Sequence, residues 1–328
     1  MRISIIGLGK MGLLHSGIVN SLPGAKVTSV CDQDLFLSKL ASAILPKSIV
    51  VYRDVNKMIS EECPDAVFVT TPTDTHVSIV NDLIKAKTDL NVFVEKPLAT
   101  SHKDAGIACE AANRSRGVHM VGFQKRFSRV FQKGRQLVRE TIEEPIFFRA
   151  YCFSSDVLRE GSGWRSKKSS GGVLLDSAPH LLDILLWFFG EPSSVKAIKK
   201  HVYSQEVEDY VHAVLTYDSA LQGYMDACWS VSNYRLPEFL VEIYGRNGLL
   251  TVTDDFVKFA DGRGTSGSLV YHRQDFPSSV PFLLTDPEYT LEDLAFLEAA
   301  RTGCTPETSF VQAAKINALI DRILDESR

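Results

Sequence analysis

The chain has 328 residues, 45% of them apolar, which is enough for two domains of ordinary size, each with its own core. A formal net charge of −4 gives no electrostatic reason to expect nucleic acid or an anionic membrane as partner. No apolar run approaches the roughly 20 residues that span a bilayer, and the longest, Leu181 to Phe189, is interrupted by Asp183.

The opening residues, MRISIIGLG, run straight into a strand and a glycine turn, with no secretion signal expected ahead of them. From there to residue 122 strand and helix patterns alternate. Strands are predicted at 3–6, 27–31, 49–52, 66–70, 92–94 and 118–121, and helices at 10–21, 35–44, 54–59, 75–86 and 103–113. Short apolar strands separated by helices predict a doubly wound parallel sheet covered on both faces. Residues 1–122 are therefore expected to form a Rossmann domain. Beyond residue 123 come a basic helical stretch (127–140), an extended run at Pro145–Phe148, a Gly/Ser-rich loop at 160–172 and a strong helix at 177–189. Gly190 and Pro192 stop that helix. Strand-like runs at 195–202, 211–217, 223–229, 238–244, 249–252 and 257–259 are joined mostly by short turns and predict a mostly antiparallel sheet. Helices at 290–302 and 309–325 close an α+β domain spanning 123–328, so the whole chain reads as α/β.

The second domain has few helices to cover a large open sheet. One face is thus expected to be buried in a homodimer or homotetramer. The six cysteines (31, 63, 109, 152, 228 and 304) form no CxxC pair and no metal-spaced set with histidine. No metal is expected, and scattered thiols in an enzyme-sized chain point to the cytoplasm.

Gly7-Leu8-Gly9-Lys10-Met11-Gly12 matches G-x-G-x-x-G between a strand and a helix, the context that gives this motif meaning. Gly7 allows the tight turn, Gly9 lets a pyrophosphate approach the backbone, and Gly12 lets the helix pack on the sheet. The N–H groups of the first helical turn, from Lys10 and Met11 on, are suited to phosphate. Asp32 closes the second strand about 20 residues later, where its carboxylate can accept both ribose hydroxyls. A 2′-phosphate about 4 Å away would be repelled by several kcal/mol at an effective dielectric near 20. Asp34 adds a second negative charge and no arginine follows, so NAD is favoured over NADP.

Glu95-Lys96-Pro97 follows the fifth strand at the carboxyl edge of the sheet, where ligands of such folds bind. Gly171-Gly172-Val173-Leu174-Leu175-Asp176-Ser177-Ala178-Pro179-His180 follows later. Pro179 is tolerated only in a first helical turn, so Ser177 reads as the N-cap, with Asp176 just before the helix and His180 inside it. The three segments together, with Thr71-Pro72 and Gly122-Phe123-Gln124-Lys125-Arg126-Phe127, resemble the glucose–fructose oxidoreductase / inositol dehydrogenase (Gfo/Idh/MocA) family over nearly the whole chain. The resemblance implies that Lys96, Asp176 and His180 are the catalytic constellation. It also implies a sugar, cyclitol or sugar derivative as substrate.

That chemistry suits the residue types. Oxidation of a secondary alcohol needs a proton acceptor near neutral pH, which fits His180. A helix N-terminus keeps an imidazole neutral. Lys96 would stabilise the developing alkoxide, and Asp176 would orient substrate, His180 or Lys96. Thr70, Thr71, Pro72, His76, Glu95 and Gln124 are further cofactor-binding candidates, and Trp164-Arg165 resembles a cofactor-touching pair of some family members. Arg126 is a candidate for binding substrate, beside Lys96, Asp176 and His180. His15 reads as structural. The basic residues 125–139 read most simply as a solvated helix face, and more sharply as an anion site. Three alternatives remain at this point: a redox-neutral enzyme that cleaves glycosides through transient oxidation, a nucleotide-sugar 3-dehydrogenase, and a regulator that binds NAD without turnover.

Overall fold

The short apolar runs of the first 122 residues are strands, and those at the centre of the sheet bury side chains on both faces, as a sheet sandwiched between helices requires. The computed structural model describes residues 1–156, 158, 171–234, 236–262, 268–276 and 287–327. These divide into two compact units. One comprises 1–124 with 287–317, the other 125–276 with 318–327.

In the first unit, β1 (Arg2–Ile6), β2 (Lys26–Cys31), β3 (Val50–Tyr52), β4 (Ala66–Val69), β5 (Asn91–Glu95) and β6 (His119–Gly122) pair in parallel in the order β3-β2-β1-β4-β5-β6. This is the doubly wound order, whose direction reverses between β1 and β4. Intervening helices are α1 (Lys10–Ser21), α2 (Leu35–Ile44), α3 (Val55–Glu62), α4 (Thr73–Ala86) and α5 (His102–Asn113). Their starts follow local chemistry: the side chains of Asp34, Asp54 and Ser101 accept N–H bonds from the first turns of α2, α3 and α5. Ile3, Ile5, Val67, Phe68, Val92 and Phe93 are fully buried at the sheet's centre.

The sequence placed residues 123–328 in one domain, but 287–317 pack with the first unit. The reason is apolar. In the helix Pro287–Thr302, Phe296 is buried with its ring 5.2 Å from that of Phe68 and 5.6 Å from that of Phe93. Asn317 then donates its amide to Ala99 O at 2.7 Å.

The second unit holds α6 (Arg129–Glu140), β7 (Pro145–Phe153), α7 (Gly172–Asp176), α8 (Ala178–Phe189), β8 (Ser194–Lys200), β9 (Tyr210–Thr216), β10 (Gln222–Cys228), β11 (Glu238–Gly245), β12 (Gly248–Thr253), β13 (Phe256–Asp261) and β14 (Leu269–His272). Its eight strands run in the order β14-β13-β12-β11-β7-β10-β9-β8. Only β7 and β10 pair in parallel; the other neighbours are antiparallel. Helix α8 is apolar nearly all round and buried accordingly, from Ala178 to Phe188. Phe189 at its end stacks on Phe148 of β7 at 4.8 Å. The helix Pro287–Thr302 is α9, and the closing helix Phe310–Glu326 is α10.

Two sequence readings change. The Gly/Ser-rich stretch ends in a helix, since residues 172–176 form α7. Ser177 holds the N-cap position of α8, as read, but its side chain makes no capping bond: its backbone is helical (φ −95°, ψ −41°) and its N–H donates to Val173 O at 3.1 Å. Asp176 therefore ends one helix and His180 lies in the first turn of the next.

Among the described residues, no helix is long and apolar enough to cross a membrane. All six cysteines are free thiols.

Candidate active site

In the first unit, the candidates converge on the carboxyl ends of β1, β2, β4 and β5. Gly7 has φ +94° and its N–H donates to Cys31 O at 2.8 Å, tying the turn to the end of β2. Gly12 is glycine for want of space: a Cβ there would stand 1.9 Å from Gly7 O. A Cβ on Gly9, by contrast, would meet no protein atom within 4 Å. Internal packing explains Gly12 and leaves Gly9 without a packing reason. Lys10 and Met11 open α1, with Lys10 exposed.

Asp32 reaches back to this turn. Its Oδ2 accepts the Leu8 N–H at 2.7 Å and its Oδ1 the Asp34 N–H at 2.8 Å, so two donors fix the carboxylate beside the glycine loop. Thr70 Oγ1, at the end of β4, donates to Ile6 O at 3.0 Å or Gly7 O at 2.9 Å. Thr71 Oγ1 accepts from Thr75 Oγ1, and Pro72 precedes the first residue of α4 in extended conformation.

His76 is buried, with Nδ1 2.9 Å from Pro97 O and Nε2 2.9 Å from Thr71 O. Burial lowers its pKa; the two carbonyls act in the opposite direction. The ring lies between the loop after β4 and the loop after β5, and as a neutral imidazole it donates its single N–H to one of the two carbonyls. Glu95 is buried beside it in the fold, accepting the Lys96 N–H on Oε2 at 3.0 Å. The Lys96–Pro97 peptide is cis. Gln124 is buried and donates to Tyr289 OH at 3.1 Å.

In the second unit, Asp176 closes α7 and His180 begins α8. His180 is 8% exposed, with its ring 6.1 Å from Phe239 in edge-on contact; Lys125 Nζ lies 4.8 Å from the same Phe239 ring. Sequence reasoning missed how α7 is held. Glu208 Oε1 accepts the Leu174 N–H at 3.1 Å and Glu208 O the Val173 N–H at 3.2 Å. The carboxylate comes so close that a Cβ on Gly172 would stand 2.1 Å from it. Burial pushes the Glu208 carboxyl above the usual carboxylate range.

The basic stretch is not a uniformly solvated face. Lys125 pairs with Asp254. Arg126 is 6% exposed and forks onto Asp183, with Nε–Oδ2 2.8 Å and Nη2–Oδ1 2.6 Å. Trp187 lies under both guanidinium groups, 5.6 Å from that of Arg126 and 4.4 Å from that of Arg135. Only Arg129 and Arg139 of the six basic residues are exposed. The Arg126 guanidinium is thus engaged by a buried carboxylate and a ring. Trp164 and Arg165 lie outside the described residues.

Comparison with known proteins sets this geometry in a family. The model of the Gfo/Idh/MocA oxidoreductase family with NAD-binding Rossmann fold matches residues 1–123. The model of the Gfo/Idh/MocA C-terminal domain matches residues 131–251. The chain belongs to this family, as its motifs imply. It is 27% identical over 327 residues to scyllo-inositol 2-dehydrogenase (NAD(+)) of Bacillus subtilis (strain 168), covering 95% of this chain and 90% of the relative. It is 28% identical over 281 residues to myo-inositol 2-dehydrogenase of Thermotoga maritima, covering 82% of this chain and 80% of the relative. A solved levoglucosan dehydrogenase, in complex with NADH and levoglucosan, shares the fold with a TM-score of 0.88 at 21% identity, over 99% of this chain and 96% of that one.

Proposed function

We propose that this protein is an NAD-dependent dehydrogenase acting on a secondary alcohol of a cyclitol, sugar or sugar derivative in the cytoplasm. The observation that carries the proposal is Asp32, a carboxylate bonded to the glycine turn itself by the Leu8 N–H and held at the end of β2. Gly9 agrees with it, because a glycine with no packing reason in a turn before a helix suits close approach of a pyrophosphate. The residues present therefore fit the dinucleotide: Gly7, Gly9 and Gly12 with the first turn of α1 for the phosphates, Asp32 for the ribose, and Thr70 to Pro72 and Glu95 to Pro97 along the same edge. Asp32 and Asp34 together disfavour a 2′-phosphate.

When bound, NAD supplies the hydride acceptor. The protein's own residues handle the proton and the oxygen. His180 takes the proton from the substrate hydroxyl, Lys96 donates to the oxygen as its charge develops, and Asp176 orients the reacting groups. The test is a panel of inositols, polyols, aldoses and nucleotide sugars offered with NAD or NADP, read by NADH absorbance. NADH accumulation with at least one cyclitol or sugar, and faster with NAD than NADP, is expected. Turnover without NADH build-up would reassign the chain to redox-neutral chemistry, and a preference for NADP would refute the role given to Asp32.

We also propose a homodimer or homotetramer formed through the C-terminal sheet. Helices cover one face, where Phe148, Ala150 and Cys152 of β7 are buried. On the other, Phe147, Tyr151, Phe153, Tyr224, Leu240 and Tyr244 are only half-buried. Phe147 lies 5.5 Å from Tyr224 and 5.6 Å from Tyr244, and Tyr151 stacks on Phe153 at 4.5 Å, so the aromatics of this face form two clusters. Light scattering at micromolar concentration is expected to show a dimer or larger; a monomer alone would overturn the assignment.

A further inference from the structure

A buried polar chain leads through the first unit to the backbone of Lys96. His15, on the inner face of α1, is 0% exposed. Its Nδ1 is 2.8 Å and 3.0 Å from the two carboxylate oxygens of Asp293 on α9, and its Nε2 is 3.1 Å from Glu95 Oε1 at the end of β5. The other oxygen of Glu95 accepts the Lys96 N–H at 3.0 Å. Asp293 is also 0% exposed. The rings of Phe68 and Phe93, 5.4 Å and 5.1 Å away, enclose the imidazole in apolar surroundings.

This is a costly arrangement for stability alone. Burying one imidazole and two carboxylates carries a desolvation penalty that well-packed apolar residues would avoid. A neutral imidazole carries one N–H, whereas here both ring nitrogens face carboxylate oxygens; the imidazolium satisfies both. Burial alone would lower the pKa of His15, but Asp293 and Glu95 outweigh it and hold the pKa well above the ordinary histidine value. The pair with His15 likewise holds the Glu95 carboxyl below its usual range, against desolvation.

We propose that Asp293 and His15 are positioning residues for Lys96: Asp293 orients the His15 imidazolium, which locks the Glu95 carboxylate, which fixes the peptide from which the Lys96 side chain projects. The proposal rests on the catalytic role assigned to Lys96 above. On the other side of the same loop, His76 Nδ1 lies 2.9 Å from Pro97 O. Lys96 thus lies between two buried histidines, His15 and His76. Such supporting shells fix the geometry and orientation of the groups they hold. The chain ends in a backbone N–H, so it sets where Lys96 stands and not what it touches.

Two measurements test it. The first needs no substrate: long-range ¹H–¹⁵N spectra of the free, ¹⁵N-labelled protein near neutral pH, with His15 assigned by its displacement in Asp293→Asn. Both ring nitrogens are expected to be protonated. A neutral His15 tautomer, with the proton resident on Asp293, would overturn the relay. The second compares kcat and NAD dissociation for Asp293→Asn and His15→Gln. Loss of a supporting partner lowers kcat about 10–100-fold while NAD dissociation moves less than about 3-fold. Equal losses in both, or kcat unchanged, would reduce the cluster to packing. Wild-type protein inactive on every alcohol would sink the dehydrogenase reading, and the spectra would still decide the relay.

Discussion

His180→Ala is expected to lower turnover about 10²–10⁴-fold, the range for removal of a positioned general base. The effect should fall on kcat, because every described residue assigned to the dinucleotide lies in the first unit and His180 in the second. Binding of NADH, followed by its fluorescence, should be close to that of the parent. The substitution also removes a buried ring that packs edge-on against Phe239, so a fall in stability has to be separated from a fall in chemistry. His180→Asn makes that separation. It keeps a polar group of similar reach in the first turn of α8 and cannot accept a proton from an alcohol. If both variants lose turnover while the thermal midpoint of His180→Asn stays near that of the parent, the loss is chemical. Near-normal turnover in either would remove His180 from the mechanism. Lys96 then becomes the sole charged group of the proposed constellation able to stabilise the alkoxide, with Asp176 the remaining acceptor.

What could be read from the sequence depended on how local the signal was. β1, β4 and β5 were legible because each is a short, continuous apolar run, and their burial on both faces is what such runs mean. The glycine turn and Asp32 were legible because their spacing is set by one strand, one turn and one helix. α7 was not. Gly171 and Gly172 fell in or beside the loop read at 160–172, and both do have positive φ (+76° and +78°), but Gly171 precedes and Gly172 opens a helix whose first N–H groups are taken by Glu208, over 30 residues on. Ser177 does stand at the N-cap position of α8, but without α7 nothing in the sequence shows that its backbone continues a helix and its side chain makes no capping bond. The parallel pairing of β7 with β10 leaves no local trace, since strand composition does not name a partner. His15 was legible only as a structural histidine. Its partner Asp293 lies 278 residues away and could be found only once α9 was seen packing in the first unit. The basic stretch shows the converse. Charge alone suggested a wet surface, yet a buried carboxylate and Trp187 draw Arg126 inward.

Asp183 marks the second large expected effect. It is 1% exposed in the middle of a helix that is buried nearly all round, and Arg126 at 6% exposure is its partner. The pair makes bidentate contact, and the guanidinium also faces Trp187. A buried ion pair contributes little net stability, since desolvation offsets attraction, but removing one partner strands the other charge. Asp183→Leu is therefore expected to cost about 3–5 kcal/mol. In a unit of this size that lowers the thermal midpoint by about 6–20 °C. The double variant Arg126→Met/Asp183→Leu should recover most of the loss, because it leaves no unpaired charge. Thermal unfolding of the two variants gives both numbers. The double variant also decides what Arg126 does. If the guanidinium serves only Asp183 and Trp187, the KM for substrate in the refolded double variant matches the parent. If it also contacts substrate, as the sequence suggested, KM rises although stability has returned. A single variant with stability within about 1 kcal/mol of the parent would mean that water reaches the pair and that Arg126 is solvated after all.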